Sequence, residues 1–199
     1  MILSDYVFYS LNDLNDGCCV FVGNYIITAG HVVSNQDLII QIEGLTYCLS
    51  KDKALVYKWE DGQMDGTCSD IAVFRINEVT SPLTFDTTVP RIGMPLKSVS
   101  YEHVVEQTEQ PDLLFGGKLS TEYFRLNECE AVITGIDGNF FQCKTEIMLR
   151  PGSSGSPVFN ADKLIGILHG GQEGTNMCVF QSVDSILSLI NQAIPENEK

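Results

Sequence analysis

The chain has 199 residues, of which 44% are hydrophobic and 19% are charged, so it is long enough for one large globular domain or two small ones. Its 26 acidic residues outnumber its 12 lysines and arginines, and the formal net charge of −14 argues against a nucleic-acid or anionic-membrane partner. No apolar run approaches the roughly 20 residues that span a bilayer, so we expect no membrane partner.

Seven cysteines are spread along the chain without a Cys-x-x-Cys pair. This pattern indicates neither a disulfide framework nor a structural zinc site. We therefore expect mostly buried, reduced thiols and no metal site.

Short β-branched and aromatic runs, separated by turn residues, predict an all-β fold. Three hairpins with Gly, Asn or Asp in their turns are predicted, namely 18–22 with 25–28, 131–136 with 140–143, and 157–159 with 164–168. Further strands are predicted at 38–42, 55–59, 71–76 and 178–181. This number of strands is enough for two small barrels.

The segment 89–98 is the best candidate for a linker, because it carries two prolines and a glycine. The apolar residues after Ser182 follow helical spacing, with Ser182 or Asp184 as N-cap and Pro195 as stop. The predicted organisation is an N-terminal barrel at 1–88, a linker at 89–98, a C-terminal barrel at 99–182 and a helix at 183–195.

The segment 151–157, Pro-Gly-Ser-Ser-Gly-Ser-Pro, lies directly before a predicted strand. A nucleophilic serine needs a tight turn that exposes its oxygen and aims backbone N–H groups at a developing oxyanion. Gly152 and Gly155 permit such a turn around Ser154. Taken alone, the segment is equally compatible with a surface loop of serine and glycine.

Two further residues stand at comparable junctions. His31 follows a predicted strand and two small residues, and Asp70 stands at the head of the apolar strand 71–76. Alone, the histidine would be read as a core or surface residue and the aspartate as a turn or capping residue.

Together, the three segments resemble the Thr-Ala-Ala-His, Asp-Ile-Ala-Val and Gly-Asp-Ser-Gly-Gly-Pro motifs of chymotrypsin-fold peptidases, in that family's order of His, Asp and Ser. The resemblance implies two six-stranded antiparallel β-barrels followed by a C-terminal α-helix. It implies a serine endopeptidase without cofactor or metal, in which Ser154 is the nucleophile, His31 the general base and Asp70 the carboxylate that orients it. The backbone N–H groups of Gly152 and Ser154 would form the oxyanion hole.

Two departures from the secreted members of this family narrow the interpretation. Ser153 stands where zymogen-activated members have an aspartate, and Val32 stands where secreted members have a disulfide-bonded cysteine. A reducing compartment is therefore expected, such as the cytoplasm of a bacterium or of a virus-infected host cell. The nucleophile motif is similar to those of HtrA-type peptidases and bacterial glutamyl endopeptidases. The expected partners are a protein or peptide substrate and a regulatory or recruiting protein.

By family position, the substrate pocket would be built from Met148, Leu149, Leu168, His169 and Gly170. The resemblance, aligned on Gly166 and Ile167, implies that Leu168 stands at the recognition position. Strand alternation then turns His169 to the opposite face, where it could pack near Asp70. This favours an uncharged, apolar pocket over one in which histidine binds an acidic side chain.

Two alternative functions remain, a catalytically silent peptide-binding module and a viral polyprotein-processing protease.

Overall fold

The computed structural model describes residues 1–10, 17–59, 68–111, 118–150 and 152–195. Its strands are β1 (Val7–Tyr9), β2 (Cys18–Val22), β3 (Tyr25–Thr28), β4 (Leu38–Ile42), β5 (Leu45–Leu49), β6 (Val56–Lys58), β7 (Ile71–Arg75), β8 (Thr84–Phe85), β9 (Pro95–Pro111), β10 (Lys118–Asp137), β11 (Phe140–Thr145), β12 (Pro157–Asn160), β13 (Lys163–Gly171) and β14 (Met177–Ser182). Short 3₁₀ helices cover Leu3–Tyr6, Gly30–Val33 and Lys51–Lys53, and the α-helix α1 covers Val183–Ala193.

The second half of the chain closes into a six-stranded barrel. The strands follow the order β12-β9-β10-β11-β14-β13, and β12 also pairs with β13, so that the sheet returns on itself. Seven described strands of the first half form a five-stranded sheet, β1-β2-β3-β7-β6, and a separate hairpin of β4 and β5, while β8 pairs in parallel with β13 of the barrel. The predicted all-β class with one C-terminal helix is confirmed, and the architecture is that of a trypsin-like two-barrel fold.

Three hydrophobic clusters explain why the chain folds into two halves. One cluster fills the first half and includes Phe21, Ile26 and Phe74, while another fills the closed barrel and includes Phe141 and Phe180. The third cluster lies between the halves, where side chains of both sheets pack against α1. Removing this apolar surface from water joins the two halves.

Local sequence chemistry accounts for most element boundaries. The hairpin of β2 and β3 turns at Gly23, which has a φ of 57°. Ser182 is the N-cap of α1, and its side chain accepts the amide of Ser185. The long ladder of β9 and β10 is the main element that the sequence did not predict, and β9 begins at Pro95, inside the segment 89–98. Among the described residues, no helix is long and apolar enough to cross a membrane.

Candidate active site

His31 and Asp70 form a two-point contact next to the start of β7. The backbone N–H of His31 donates to Oδ1 of Asp70 at 2.9 Å, and the ring Nδ1 lies 2.6 Å from Oδ2. Asp70 is only 2% exposed, whereas the His31 side chain is 24% exposed. Because a buried carboxylate needs hydrogen-bond donors, Asp70 fixes the ring with Nδ1 inward, which leaves Nε2 as the nitrogen for proton transfer.

The backbone before His31 explains how the carboxylate can approach so closely. A Cβ atom added to Gly30 would lie 2.6 Å from the carbonyl oxygen of Lys58 and 3.1 Å from Oδ1 of Asp70. Only glycine therefore fits between β6 and Asp70 without displacing one of them. The ring of Trp59 lies beside the imidazole of His31, with centroids 5.5 Å apart.

Asp70 is also held from the second half of the molecule. Its backbone N–H donates to Oε1 of Gln181 at 3.3 Å. The Nε2 of this fully buried glutamine donates in turn to the hydroxyls of Ser185 and Ser69, at 3.0 and 3.3 Å. This network connects the start of β7 with β14 and α1, and sequence reasoning did not find it because its members are distant along the chain.

Two consecutive tight turns shape the loop that carries Ser154. The amide of Ser153 donates to the carbonyl of Arg150, and the amide of Ser156 donates to the carbonyl of Ser153, both at 3.0 Å. Gly152 and Gly155 occupy the third positions of these turns, with φ values of 93° and 81°. Positive φ at that position is typical of a type II turn and favours glycine.

Backbone bonds to both halves of the molecule anchor this loop. The carbonyl of Ser154 accepts the amide of Cys18 from the first half at 2.7 Å. The amide of Gly155 donates to the carbonyl of Leu168 in the second half at 3.1 Å. A Cβ atom at Gly155 would lie 2.2 Å from the carbonyl oxygen of Cys18 and 2.4 Å from Oγ1 of Thr28. Glycine is therefore required both by the backbone conformation and by the close approach of β2 and β3.

The hydrogen bonds of this loop use the amides of Ser153, Gly155 and Ser156. The two amides that the sequence predicts for an oxyanion hole, those of Gly152 and Ser154, are not among these donors. Within the described residues, the ring of His31 bonds to Asp70, and no hydrogen bond joins it to Ser154. Hydrogen bonds between a nucleophile and its base are often long before substrate binds.

A cavity of about 390 Å³ opens beside Ser154. Four of the predicted pocket residues, Met148, Leu149, Leu168 and Gly170, line this cavity. His169 does not line it, because its side chain is directed toward Asp70, with Nδ1 lying 3.4 Å from Oδ2. The cavity is also lined by Arg150, Gly171, Gln172, Glu173, Gly174, Thr175, Met177 and Cys178.

The walls of this cavity are mostly uncharged. Its two charged lining residues, Arg150 and Glu173, are both exposed to solvent.

Burial raises the pKa of the Cys178 thiol, which therefore stays neutral at physiological pH. Behind it, burial raises the pKa of Cys143 to about 12. All seven cysteines lie in the described part of the chain, and none of them forms a disulfide.

Comparisons with known proteins agree with this architecture. Residues 15–167 match the sequence model of the family described as the trypsin-like peptidase domain. Among curated proteins, no sequence match to the chain is found.

Several solved structures share the fold. The scabies mite inactivated protease paralogue S-I1 has a TM-score of 0.64 at 16% sequence identity, covering 99% of this chain and 96% of that one. Two structures of Rv3671c from M. tuberculosis, both in the inactive form, have TM-scores of 0.63 and 0.62 at 13% identity. They cover 96% and 97% of this chain, and 87% and 91% of their own chains.

Proposed function

Because the chain belongs to the trypsin-like peptidase family, as its motifs predicted, we propose that it is a serine endopeptidase with the triad His31, Asp70 and Ser154. The observation that carries this proposal is the two-point contact of Asp70 with His31, in the sheet whose strands β2 and β3 contact the Ser154 loop. A carboxylate that fixes one ring nitrogen leaves the other to act as general base. The substrate class is therefore a protein or peptide.

In the proposed reaction, Oγ of Ser154 attacks the carbonyl carbon of the scissile bond while Nε2 of His31 takes the hydroxyl proton. Asp70 stabilises the imidazolium that forms, because its buried carboxylate already holds Nδ1 of the ring. The electron pair that moves onto the carbonyl oxygen creates an oxyanion. The amides of Gly152 and Ser154 are the donors we propose for it.

When the tetrahedral intermediate collapses, the C–N bond breaks, the imidazolium gives its proton to the leaving amine, and the acyl group stays on Ser154. A water molecule then attacks the acyl ester, with His31 again accepting a proton, and the carboxylic acid product and free Ser154 are released. Each proton that His31 accepts is returned within the cycle.

The proposal includes an uncharged, apolar side chain in the pocket beside Ser154. Met148, Leu149 and Leu168 offer apolar contacts, and the charged lining residues Arg150 and Glu173 are exposed to solvent. Taking a charged substrate side chain out of water is costly unless a partner compensates it, so this lining favours neutral side chains.

A reducing compartment, such as the cytoplasm, is also part of the proposal. Val32 occupies the position at which secreted members of the family carry a disulfide-bonded cysteine. Activity should consequently be the same with and without a thiol reductant. A loss of activity on reduction would contradict this part of the proposal.

Labelling with a fluorophosphonate probe tests the proposed function. We expect Ser154→Ala and His31→Ala to lower the labelling rate at least about 10³-fold, because they remove the nucleophile and its base. Ser188→Ala and His103→Ala are matched controls outside the candidate active site and should label like the wild type. A folded wild-type chain that binds peptides but takes no label would be a silent binding module, and the proposal would be wrong.

A further inference from the structure

His169 faces the same carboxylate oxygen as the proposed general base. Its Nδ1 lies 3.4 Å from Oδ2 of Asp70, and the Nδ1 of His31 lies 2.6 Å from that atom. The His169 side chain is only 7% exposed. We propose that His169 is a positioning residue, which holds Asp70 from the barrel that carries Ser154; this inference rests on the proposed function.

The backbone of β13 explains how His169 comes to face Asp70. The register between β13 and β14 shifts between Leu168 and Gly170, so His169 is an extra residue at a β-bulge. Bulges re-aim a side chain and occur often near active sites. Leu168 and Gly170 on either side both line the cavity, whereas His169 points away from it.

The remaining contacts of Asp70 show why a second imidazole matters there. Gln181 of β14 bonds only to the backbone N–H of Asp70, and both bonds to the carboxylate come from His31: Oδ1 accepts its backbone N–H, and Oδ2 accepts its ring. A buried carboxylate is stable only when donors surround it. His169 with a proton on Nδ1 presents a further donor to Oδ2 from the second half of the molecule, and the ring of Phe140, 5.4 Å away, packs beside it.

The placement on two halves gives this contact its function. His31 and Asp70 belong to the first half, while β12, β13 and the Ser154 loop belong to the second. The contact between His169 and Asp70 adds to the bond between the Asp70 backbone and Gln181, and it holds the carboxylate that orients the base from the half that carries the nucleophile. A displacement of about 1 Å between reacting groups can lower a rate about 100-fold, so a weak contact at this place has a large effect on the reaction.

Two replacements separate positioning from packing. His169→Leu removes the donor and keeps a buried apolar side chain, whereas in His169→Asn the amide nitrogen can take the place of Nδ1. We expect kcat of the leucine variant to fall about tenfold to 100-fold, with KM changed less than about threefold, because residue 169 does not line the pocket. The asparagine variant should recover most of kcat, and His103→Leu should not change it.

An equal loss of kcat in the leucine and asparagine variants would contradict the inference, as would unchanged kcat in both. A rise in KM alone would also contradict it, because that would make His169 a substrate-binding residue.

Nuclear magnetic resonance of the imidazole nitrogens tests the contact without turnover, so its result does not depend on the proposed function. The chain has only 3 histidines, which makes the assignment simple. In ¹⁵N-histidine-labelled protein we expect Asp70→Asn to shift the Nδ1 signals of both His31 and His169, with His103 unchanged. If only the His31 signals move, His169 does not bond to Asp70 and the inference fails, whatever the probe labelling shows.

Discussion

His31 and Asp70 are held by side-chain contacts, whereas Ser154 is held by the backbone of its loop. The first pair depends on two bonds to one buried carboxylate, at 2.9 and 2.6 Å. The loop depends on two glycines with positive φ and on backbone bonds to Cys18 and Leu168. The His31–Asp70 contact therefore requires particular functional groups, whereas the Ser154 loop requires a particular backbone conformation.

This difference predicts that substitutions around His31 and substitutions around Ser154 have opposite effects on activity and stability. On the side of His31, a substitution that keeps the shape should abolish chemistry and leave the fold. On the side of Ser154, even one added methyl group should weaken the fold.

Asp70→Asn should have the largest effect. The amide keeps the size of the side chain, but it no longer holds the imidazole in the tautomer that the reaction needs, so kcat should fall about 10⁴-fold. Stopped-flow or steady-state kinetics with a peptide substrate measure this fall, and thermal unfolding should show that the variant is folded. Asp162→Asn, at an exposed turn, is the matched control. A variant within tenfold of wild-type kcat would remove Asp70 from the proposed mechanism.

Gly155→Ala should destabilise the fold itself. The added Cβ would lie 2.2 Å from the carbonyl oxygen of Cys18, and the φ of 81° already disfavours a side chain. We expect a loss of about 3 kcal/mol in the free energy of unfolding, measured by urea titration.

Gly23→Ala is the matched control for this loss. Gly23 has a φ of 57°, and an added Cβ there would meet nothing within 4 Å, so only the conformational cost of about 1–2 kcal/mol remains. Equal losses in the two variants would mean that the close packing of β2 and β3 against the Ser154 loop adds nothing.

Gly170→Leu should change the choice of substrate more than the fold. A Cβ at Gly170 meets nothing within 4 Å, and the residue lines the cavity, so the new side chain can occupy the space of a substrate side chain. For peptides with a large apolar residue before the scissile bond, kcat/KM should fall about tenfold or more. Peptides with alanine at that position should be cut nearly as before. A uniform loss for both kinds of peptide would argue against this cavity as the specificity pocket.

The smallest effect is expected at a buried carboxylate outside the site, Asp86. Burial would raise its pKa, but hydrogen bonds from Thr88 and Asn160 outweigh burial and hold the pKa below its usual value. Stability from this group is present above the unfolded pKa of about 3.9 and is lost as pH falls through the lower folded pKa.

Asp86→Asn should therefore cost about 1 kcal/mol at pH 7, and the difference from wild type should shrink between about pH 4 and pH 2. Urea unfolding across that range measures it. A difference that is constant with pH would mean that the charge of Asp86 does not contribute to stability.

Local chemistry made part of the fold predictable. The hairpins 18–22 with 25–28 and 131–136 with 140–143, and the capped helix after Ser182, depend on turn residues, periodicity and caps that a single sequence displays. The ladder of β9 and β10 was not predictable, because the cross-strand contacts that stabilise it join residues distant in sequence. Arg125 pairs with the buried Glu102, and Lys97 pairs with Glu128 across the strands.

His103 illustrates the same limit. His103 lies on β9, a strand that the sequence analysis does not predict, with its ring stacked on Phe124 and its Nε2 3.4 Å from Glu122. For the candidate site, motifs predicted that Asp70 orients His31, and four of the five predicted pocket residues line the cavity beside Ser154. The support of Asp70 by Gln181 arises only when β7 and β14 meet, which no local pattern shows.

The proposed role of Ser154 as the nucleophile is tested most directly by the site at which a covalent inhibitor binds. Intact-mass and fragment mass spectrometry after reaction with a fluorophosphonate locates that site, because it distinguishes Ser154 from the nearby Ser153 and Ser156. We expect a single adduct on Ser154, and this adduct should be absent in His31→Ala. An adduct on Ser153 or Ser156, or a folded chain with no adduct, would contradict this role.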